Sequence, residues 1–202
     1  MERIDNVAGV VLAGGRSTRI GRDKGRLEIG GVPQWSRPVE QLHSLFTEVI
    51  YATNDPDFDS PPGLKVTLDE VPHMGPLGGI LAALGATEAK RVFVAAYDMP
   101  FIQEDLVRYL VELAPEADVT VPVIDGKLEP LHAVYGQVCA AVIEGRLEAG
   151  RRKIIDFYRA VSVHEVPEGD LRRIDPGLLS FFNINTWDDV ERARRLIAEE
   201  QV

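Results

Sequence analysis

The chain is short of the residues that usually announce a chemistry. Its 202 residues include one cysteine, Cys139, so an internal disulfide framework is excluded. The apolar run around it, Val138-Cys139-Ala140-Ala141-Val142, marks a small buried hydrophobe rather than a nucleophile. The four histidines, His43, His73, His132 and His164, are scattered without the spacing of a zinc site, and no Ser/His/Asp arrangement can be argued. No stretch approaches the ~20 apolar residues of a membrane span, and no secretory apolar region opens the chain. The expectation is a cytoplasmic protein with no membrane partner. An excess of positive charge is lacking as well: the net charge is −10, which argues against nucleic acid. Two common phosphate-binding signatures are also missing. Five residues separate Gly15 from Gly21, and Arg22-Asp23 follows where a P-loop would have Lys-Ser/Thr. No G-x-G-x-x-G is present.

What is present is unevenly placed. Of 22 basic residues, Arg16, Arg19, Arg22, Lys24 and Arg26 fall in one short stretch, where an even spread would put about one. A basic cluster in an acidic chain suits a small polyanion; a solvated loop is the plainer alternative. The cluster follows Val7-Ala8-Gly9-Val10-Val11-Leu12, an all-apolar run of the kind that forms a strand covered on both faces. Further along, the pattern predicts a helix over 34–46, with Trp35, Val39, Leu42 and Phe46 on one face and Pro38 tolerable only in its first turn. Strands are expected over 48–53, 64–69 and 91–96, and helices over 80–89 and 103–113. Beyond Asp118 the rhythm loosens. Strand-like segments (119–124, 131–135, 160–166, 180–182) mix with helical ones (137–146, 153–158, 187–199), the last capped by Thr186 ahead of Asp188 and Asp189. The βαβ alternation predicts one domain over 1–202, with a mostly parallel sheet covered by helices on both faces.

Ligands in open α/β sheets sit beyond the carboxyl ends of strands, and three candidate segments follow strands directly. In Leu12-Ala13-Gly14-Gly15-Arg16-Ser17-Thr18-Arg19, with Lys24 beyond, glycines let backbone N–H groups close on phosphate while Arg and Lys neutralise it. Asp98, followed by Met99-Pro100, places a carboxylate where it could hold Mg²⁺ against phosphate oxygens; a turn-forming Asp before proline is the competing reading. Asp69, with Gly75-Pro76-Leu77-Gly78-Gly79, offers close approach to backbone, and a structural turn competes here too.

The segments Leu12-Ala13-Gly14-Gly15-x-Ser17-x-Arg19-x-Gly21-x-Asp23-Lys24, Gly75-Pro76-Leu77-x-Gly79, Asp98-Met99-Pro100 and Phe182-Asn183-Ile184-Asn185-Thr186 resemble, in order and over nearly the whole chain, the molybdenum cofactor guanylyltransferases. The resemblance implies a nucleotidyltransferase with a Rossmann-like three-layer α/β sandwich fold, with GTP and Mg²⁺ as ligands and molybdopterin or its molybdenum form as acceptor. The nucleotide half would span about 1–115 and the acceptor half about 116–202. Leu12, Ala13, Gly14 and Gly15 would then contact the nucleotide, Arg19 and Lys24 the phosphates, Asp69 the guanine or ribose end, and Asp98 the Mg²⁺. Asn183 and Asn185 would lie near metal or acceptor, with Arg152, in the basic run Arg151-Arg152-Lys153, meeting the acceptor's phosphate. Other cofactor-biosynthesis proteins or acceptor molybdoenzymes are implied as partners. The chain departs from the pattern at Ala52, which aligns with a family asparagine while Asn54 lies two residues on, and at Gly78, which replaces a commoner alanine. Two alternatives stand beside this reading: a relative using CTP or a sugar-phosphate acceptor, and a nucleotide-binding protein without turnover.

Overall fold

The computed structural model describes residues 2–13, 27–68 and 75–199. Gly14, Gly15, Arg19, Lys24 and Asp69 therefore lie outside the described residues. The apolar run at the start forms strand β1 (Val7–Ala13), buried over six of its seven residues. A short hairpin, β2 (Glu28–Ile29) and β3 (Val32–Pro33), precedes helix α1 (Ser36–Leu45). Pro38 sits within the first turn of α1, as its missing N–H demands. Strands β4 (Val49–Thr53) and β5 (Lys65–Leu68), helix α2 (Pro76–Gly85), strand β6 (Arg91–Ala96) and helix α3 (Glu104–Leu113) continue the alternation. The second half adds β7 (Val119–Ile124), β8 (Lys127–Leu128), β9 (His132–Gly136), α4 (Cys139–Glu148), β10 (Val163–Pro167), α5 (Glu168–Ile174) and α6 (Trp187–Ala198).

The main sheet runs β10-β7-β9-β6-β1-β4-β5, with β8 paired to β7. Strands β6, β1, β4 and β5 are mutually parallel, as are β7 and β10, while β9 is antiparallel to both β6 and β7. Strands from both halves of the chain thus share one sheet. Helices α2 and α4 cover one face, over a core that includes Val10, Ile80, Val94 and Tyr135. Helices α1, α3 and α5 cover the other, over Val11, Leu42, Phe93 and Leu106. A smaller cluster, Ile29, Phe101, Ile184, Val190 and Ala193, seats α6 and the hairpin against the sheet's edge. Gly9 allows the tight approach of α1: a Cβ there would stand 2.7 Å from a ring carbon of Phe46.

Several expected elements differ. The helix expected over 80–89 begins at Pro76, because proline at N1 gives up no hydrogen bond and Gly78 and Gly79 are small enough for a buried first turn. Residues 180–182 form a 3-10 turn, Leu179–Phe181, instead of a strand. The Asp175 carboxylate accepts the N–H groups of Leu179 (3.0 Å) and Ser180 (2.8 Å), leaving neither for a ladder. The helix expected over 153–158 is two 3-10 turns, Ile154–Asp156 and Tyr158–Ala160, too brief to propagate an α-helical ladder. The hairpin, β8 and α5 add elements that the pattern reading left as loop. Cys139 is buried, its thiol donating to the Asp118 carbonyl at 3.5 Å and pushed up to about 12, chiefly by burial.

Candidate active site

Beyond the carboxyl ends of β1, β4 and β6 lies a cleft. The chain leaves β1 to build β4 and β5 on one side, then returns through α2 to place β6 on the other. That reversal opens the edge of the sheet where ligands bind in open α/β folds. The floor is small and apolar: Leu12, Ala13, Ala52 and Ala96. Its polar rim is Thr53, Asn54, Tyr97 and Asp98, and Leu131 closes the side toward β9. The N-terminal turn of α2 supplies a wall of Gly75, Pro76 and Gly79. Gly75 holds φ +67°, a left-handed value that a side chain would strain. A Cβ on Gly79 would come within 3.0 Å of Leu12, so glycine lets α2 lie close against β1.

Asp98 is partly buried in the turn just past β6. Its backbone carbonyl accepts the Ile184 N–H at 2.9 Å, which brings the 183–185 segment alongside it. Met99 N–H bonds back to Ala96 O at 3.1 Å, and Gln41 on α1 donates to Pro100 O at 3.2 Å, so the turn is braced on both sides. Within that segment Asn183 donates its amide to Phe181 O at 3.0 Å, and Asn185 is exposed. Just beyond it, Thr186 and Asp189 form the reciprocal cap of α6: the Thr186 hydroxyl accepts Asp189 N–H, and the Asp189 carboxylate accepts the N–H groups of Asn185 and Thr186. Burial, and then the Asp98 charge, push the Tyr97 phenol up to about 12.

Of the site residues read from sequence, Leu12, Ala13 and Asp98 line the cleft together, and Asn183 and Asn185 are tethered beside Asp98. Arg152 is exposed and is not part of the lining. Helix α4 packs against α2, and Gln137, just ahead of α4, donates to Leu84, Thr87 and Ala89 carbonyls at the end of α2. The two helices are therefore antiparallel, so α4 ends, and Arg151–Lys153 begins, at the same edge of the sheet as the cleft. Asn54, two residues past the position that aligns with the family asparagine, lines the cleft, as do Thr53, Tyr97 and Leu131. Their signal was position alone, at or next to a strand end on the ligand edge.

A magnesium ion held jointly with substrate phosphates suits this donor set. Mg²⁺ typically takes one or two protein carboxylates and keeps phosphate or water for the rest, and Asp98 supplies one at the cleft. Among the described residues no three acidic, histidine or cysteine side chains gather into an all-protein cage. No helix among them is long and apolar enough to cross a membrane.

The family model of a MobA-like NTP transferase domain matches residues 9–164. A probable molybdenum cofactor guanylyltransferase of Pelotomaculum thermopropionicum is 41% identical over 186 residues, covering 92% of this chain and 91% of the relative. The molybdenum cofactor guanylyltransferase of Syntrophotalea carbinolica is 34% identical over 189 residues, covering 92% and 90%. Among solved structures, molybdopterin-guanine dinucleotide biosynthesis protein A of Archaeoglobus fulgidus matches with a TM-score of 0.85 at 29% identity, over 95% of this chain and 99% of that one. The family model and these relatives make the chain an α/β nucleotidyltransferase, with its cleft at the carboxyl ends of the parallel strands. With full-length relatives of this similarity, the chain belongs to the molybdenum cofactor guanylyltransferase family.

Proposed function

We propose that the protein transfers GMP from GTP to the terminal phosphate of molybdopterin, forming the guanine dinucleotide cofactor. An oxygen of the acceptor phosphate attacks the α-phosphorus of GTP, the bond from that phosphorus to the bridging oxygen breaks, and pyrophosphate leaves with the electron pair. The acceptor is already ionised at neutral pH, so no general base is required. Protein groups position the two phosphates and balance their charge.

The observation that carries this reading is the union of Asp98 with the β1 exit in one cleft, with Ile184 N–H holding the 183–185 segment to Asp98. Asp98 would hold the Mg²⁺, which when bound supplies charge neutralisation between the reacting phosphates. Leu12 and Ala13 support the nucleotide from the floor; Gly14, Gly15, Arg19 and Lys24 are assigned to its phosphates, and Asp69 to its guanine or ribose end. Asn54, on the cleft rim, joins the nucleotide contacts. Asn183, Asn185 and Arg152 are assigned to the acceptor side, so the 1–115 half holds the nucleotide and the 116–202 half the acceptor.

Pyrophosphate release, measured with GTP, CTP, UTP or ATP in the presence and absence of molybdopterin, tests the assignment. GTP with molybdopterin should give the fastest release. A faster reaction with CTP would move the protein to a cytidylyl chemistry, and binding of GTP with no release would reduce it to a nucleotide-binding protein.

A further inference from the structure

The transfer reaction leaves two buried phenols without a task. Tyr135, on β9, is fully enclosed, and Tyr158, on the second of the two 3-10 turns after the basic run, is nearly so. Their hydroxyls meet at 2.8 Å, and the Tyr135 Oη stands 2.6 Å from the Pro130 carbonyl oxygen. A phenol has one proton to give, and a carbonyl has none. Tyr135 therefore donates to Pro130 O, and Tyr158 donates to the Tyr135 oxygen.

The two ends of this chain lie in different parts of the half assigned to the acceptor. Pro130 precedes Leu131, the residue that closes the cleft toward β9. That turn is braced by Glu129 N–H on Pro122 O at 2.9 Å and by His132 N–H on Glu129 O at 3.1 Å. At the other end, Tyr158 follows the buried Ile154 and Phe157, which anchor the segment that opens with exposed Arg151, Arg152 and Lys153. Arg151 N–H bonds to Arg146 O at 2.9 Å and Asp156 N–H to Lys153 O at 3.1 Å, so the basic run is held between α4 and the turns. Phe157 stiffens the join, edge-on to Tyr158 at 4.9 Å and tilted against Tyr135 at 6.2 Å. Packing alone does not call for the hydroxyls, because phenylalanine would fill both places with no polar atom to satisfy. What they add is a fixed distance and direction between the cleft wall and the basic run.

We propose that Tyr135 and Tyr158 are positioning residues for the acceptor: their hydroxyl chain sets the Arg151–Lys153 run in a fixed place relative to Leu131, so that cations and cleft wall meet the acceptor together. The proposal rests on the assignment of the 116–202 half to the acceptor.

Tyr158→Phe keeps the ring and opens the chain, leaving the Tyr135 bond to Pro130 in place. Molybdopterin binding is read without turnover from quenching of the protein's tryptophan fluorescence, GTP binding by calorimetry, and kcat and KM from pyrophosphate release. The expected result is a molybdopterin Kd and KM raised about threefold or more, with kcat and GTP Kd changed less than about twofold. Tyr135→Phe opens both bonds and should raise them at least as far. The double variant should go no further than Tyr135→Phe, since both hydroxyls serve one chain. A lowered urea midpoint with a molybdopterin Kd raised less than about threefold would mark the pair as structural and overturn the proposal. An equal loss of GTP affinity would do the same. If the wild type binds molybdopterin but releases no pyrophosphate with GTP, the transfer reaction fails while the binding comparison still decides the role of the tyrosines. A wild type that does not bind molybdopterin overturns both.

Discussion

Asp98 stands on a well-braced turn at the cleft. Met99 N–H, Ile184 N–H and the Gln41 amide all bond to main-chain carbonyls between Ala96 and Pro100. Asp98→Asn keeps the shape but removes the charge that would hold Mg²⁺, so turnover should fall below about a tenth of wild type, roughly 1.4 kcal/mol of barrier or more. Pyrophosphate release at saturating Mg²⁺, with circular dichroism as the fold control, checks this. Lys24 belongs to the proposed phosphate contacts: Lys24→Ala should weaken GTP more than GMP by calorimetry, and an equal loss would move the lysine off the β- and γ-phosphates. Single residues differ in how legible they were. Leu12, Ala13 and Asp98 could be read because each closes or follows an apolar strand. Asn54 was hidden by an alignment that favoured Ala52. Side chains two residues apart along a strand direction return to the same side, and both positions line the cleft.

Among the elements, α6 is tied to the Asp98 turn through the segment ahead of it, because its reciprocal cap follows Ile184 by two residues. Thr186→Ala removes the hydroxyl that accepts Asp189 N–H and should cost about 1 kcal/mol of stability. Denaturant titration would register that as a lower midpoint at unchanged slope, with GTP affinity preserved. The end of α4 carries the acceptor-side prediction. Arg151–Lys153 is exposed at the same edge of the sheet as the cleft, and Arg152→Ala should raise the KM for molybdopterin with little change in GTP binding. An unchanged acceptor KM, with the fold intact, would return the cluster to the solvated surface. Elements read from periodicity held where the apolar pattern was strong, as in β1, β6 and α3. Helix α5 went unread despite Glu168 and Asp170 in its first turn and Arg172 and Arg173 in its last, since seven residues carry too little period to stand out.

At the scale of the molecule, β9 and the short β8 run antiparallel to their neighbours in the main sheet, and β9 buries a histidine. His132 is fully enclosed, its ring against Phe93 and Phe181 with centroids at 5.0 and 4.8 Å, and among the described residues both ring nitrogens lack hydrogen-bond partners. Burial lowers it from 6.5 to about 3. Below 6.5 the unfolded chain takes up a proton that the folded one refuses until about 3, so the unfolded state binds more protons throughout that interval. The contribution is complete above 6.5 and is lost as pH falls, at up to ~1.4 kcal/mol per pH unit. His132→Leu should flatten the acid limb of stability by that slope in urea titrations run stepwise below pH 6.5. An acid limb as steep as wild type would assign the proton uptake to other groups.

The sequence by itself determined the all-apolar strands, the βαβ rhythm, the cap at Thr186, the glycine-rich basic segment after β1 and the resemblance to a transferase family. All of these are local signals: a period of two or 3.6, a capping residue, a spacing of glycines and charges. Tertiary structure decided that β6 and β4 flank β1, that β9 enters antiparallel, and that Ile184 N–H finds the carbonyl of Asp98. It also put Asn54 and Tyr97 on the rim of one cleft. Such pairings join residues far apart in the chain, and the packing of both sheet faces together selects among strand orders that local pattern leaves equally open.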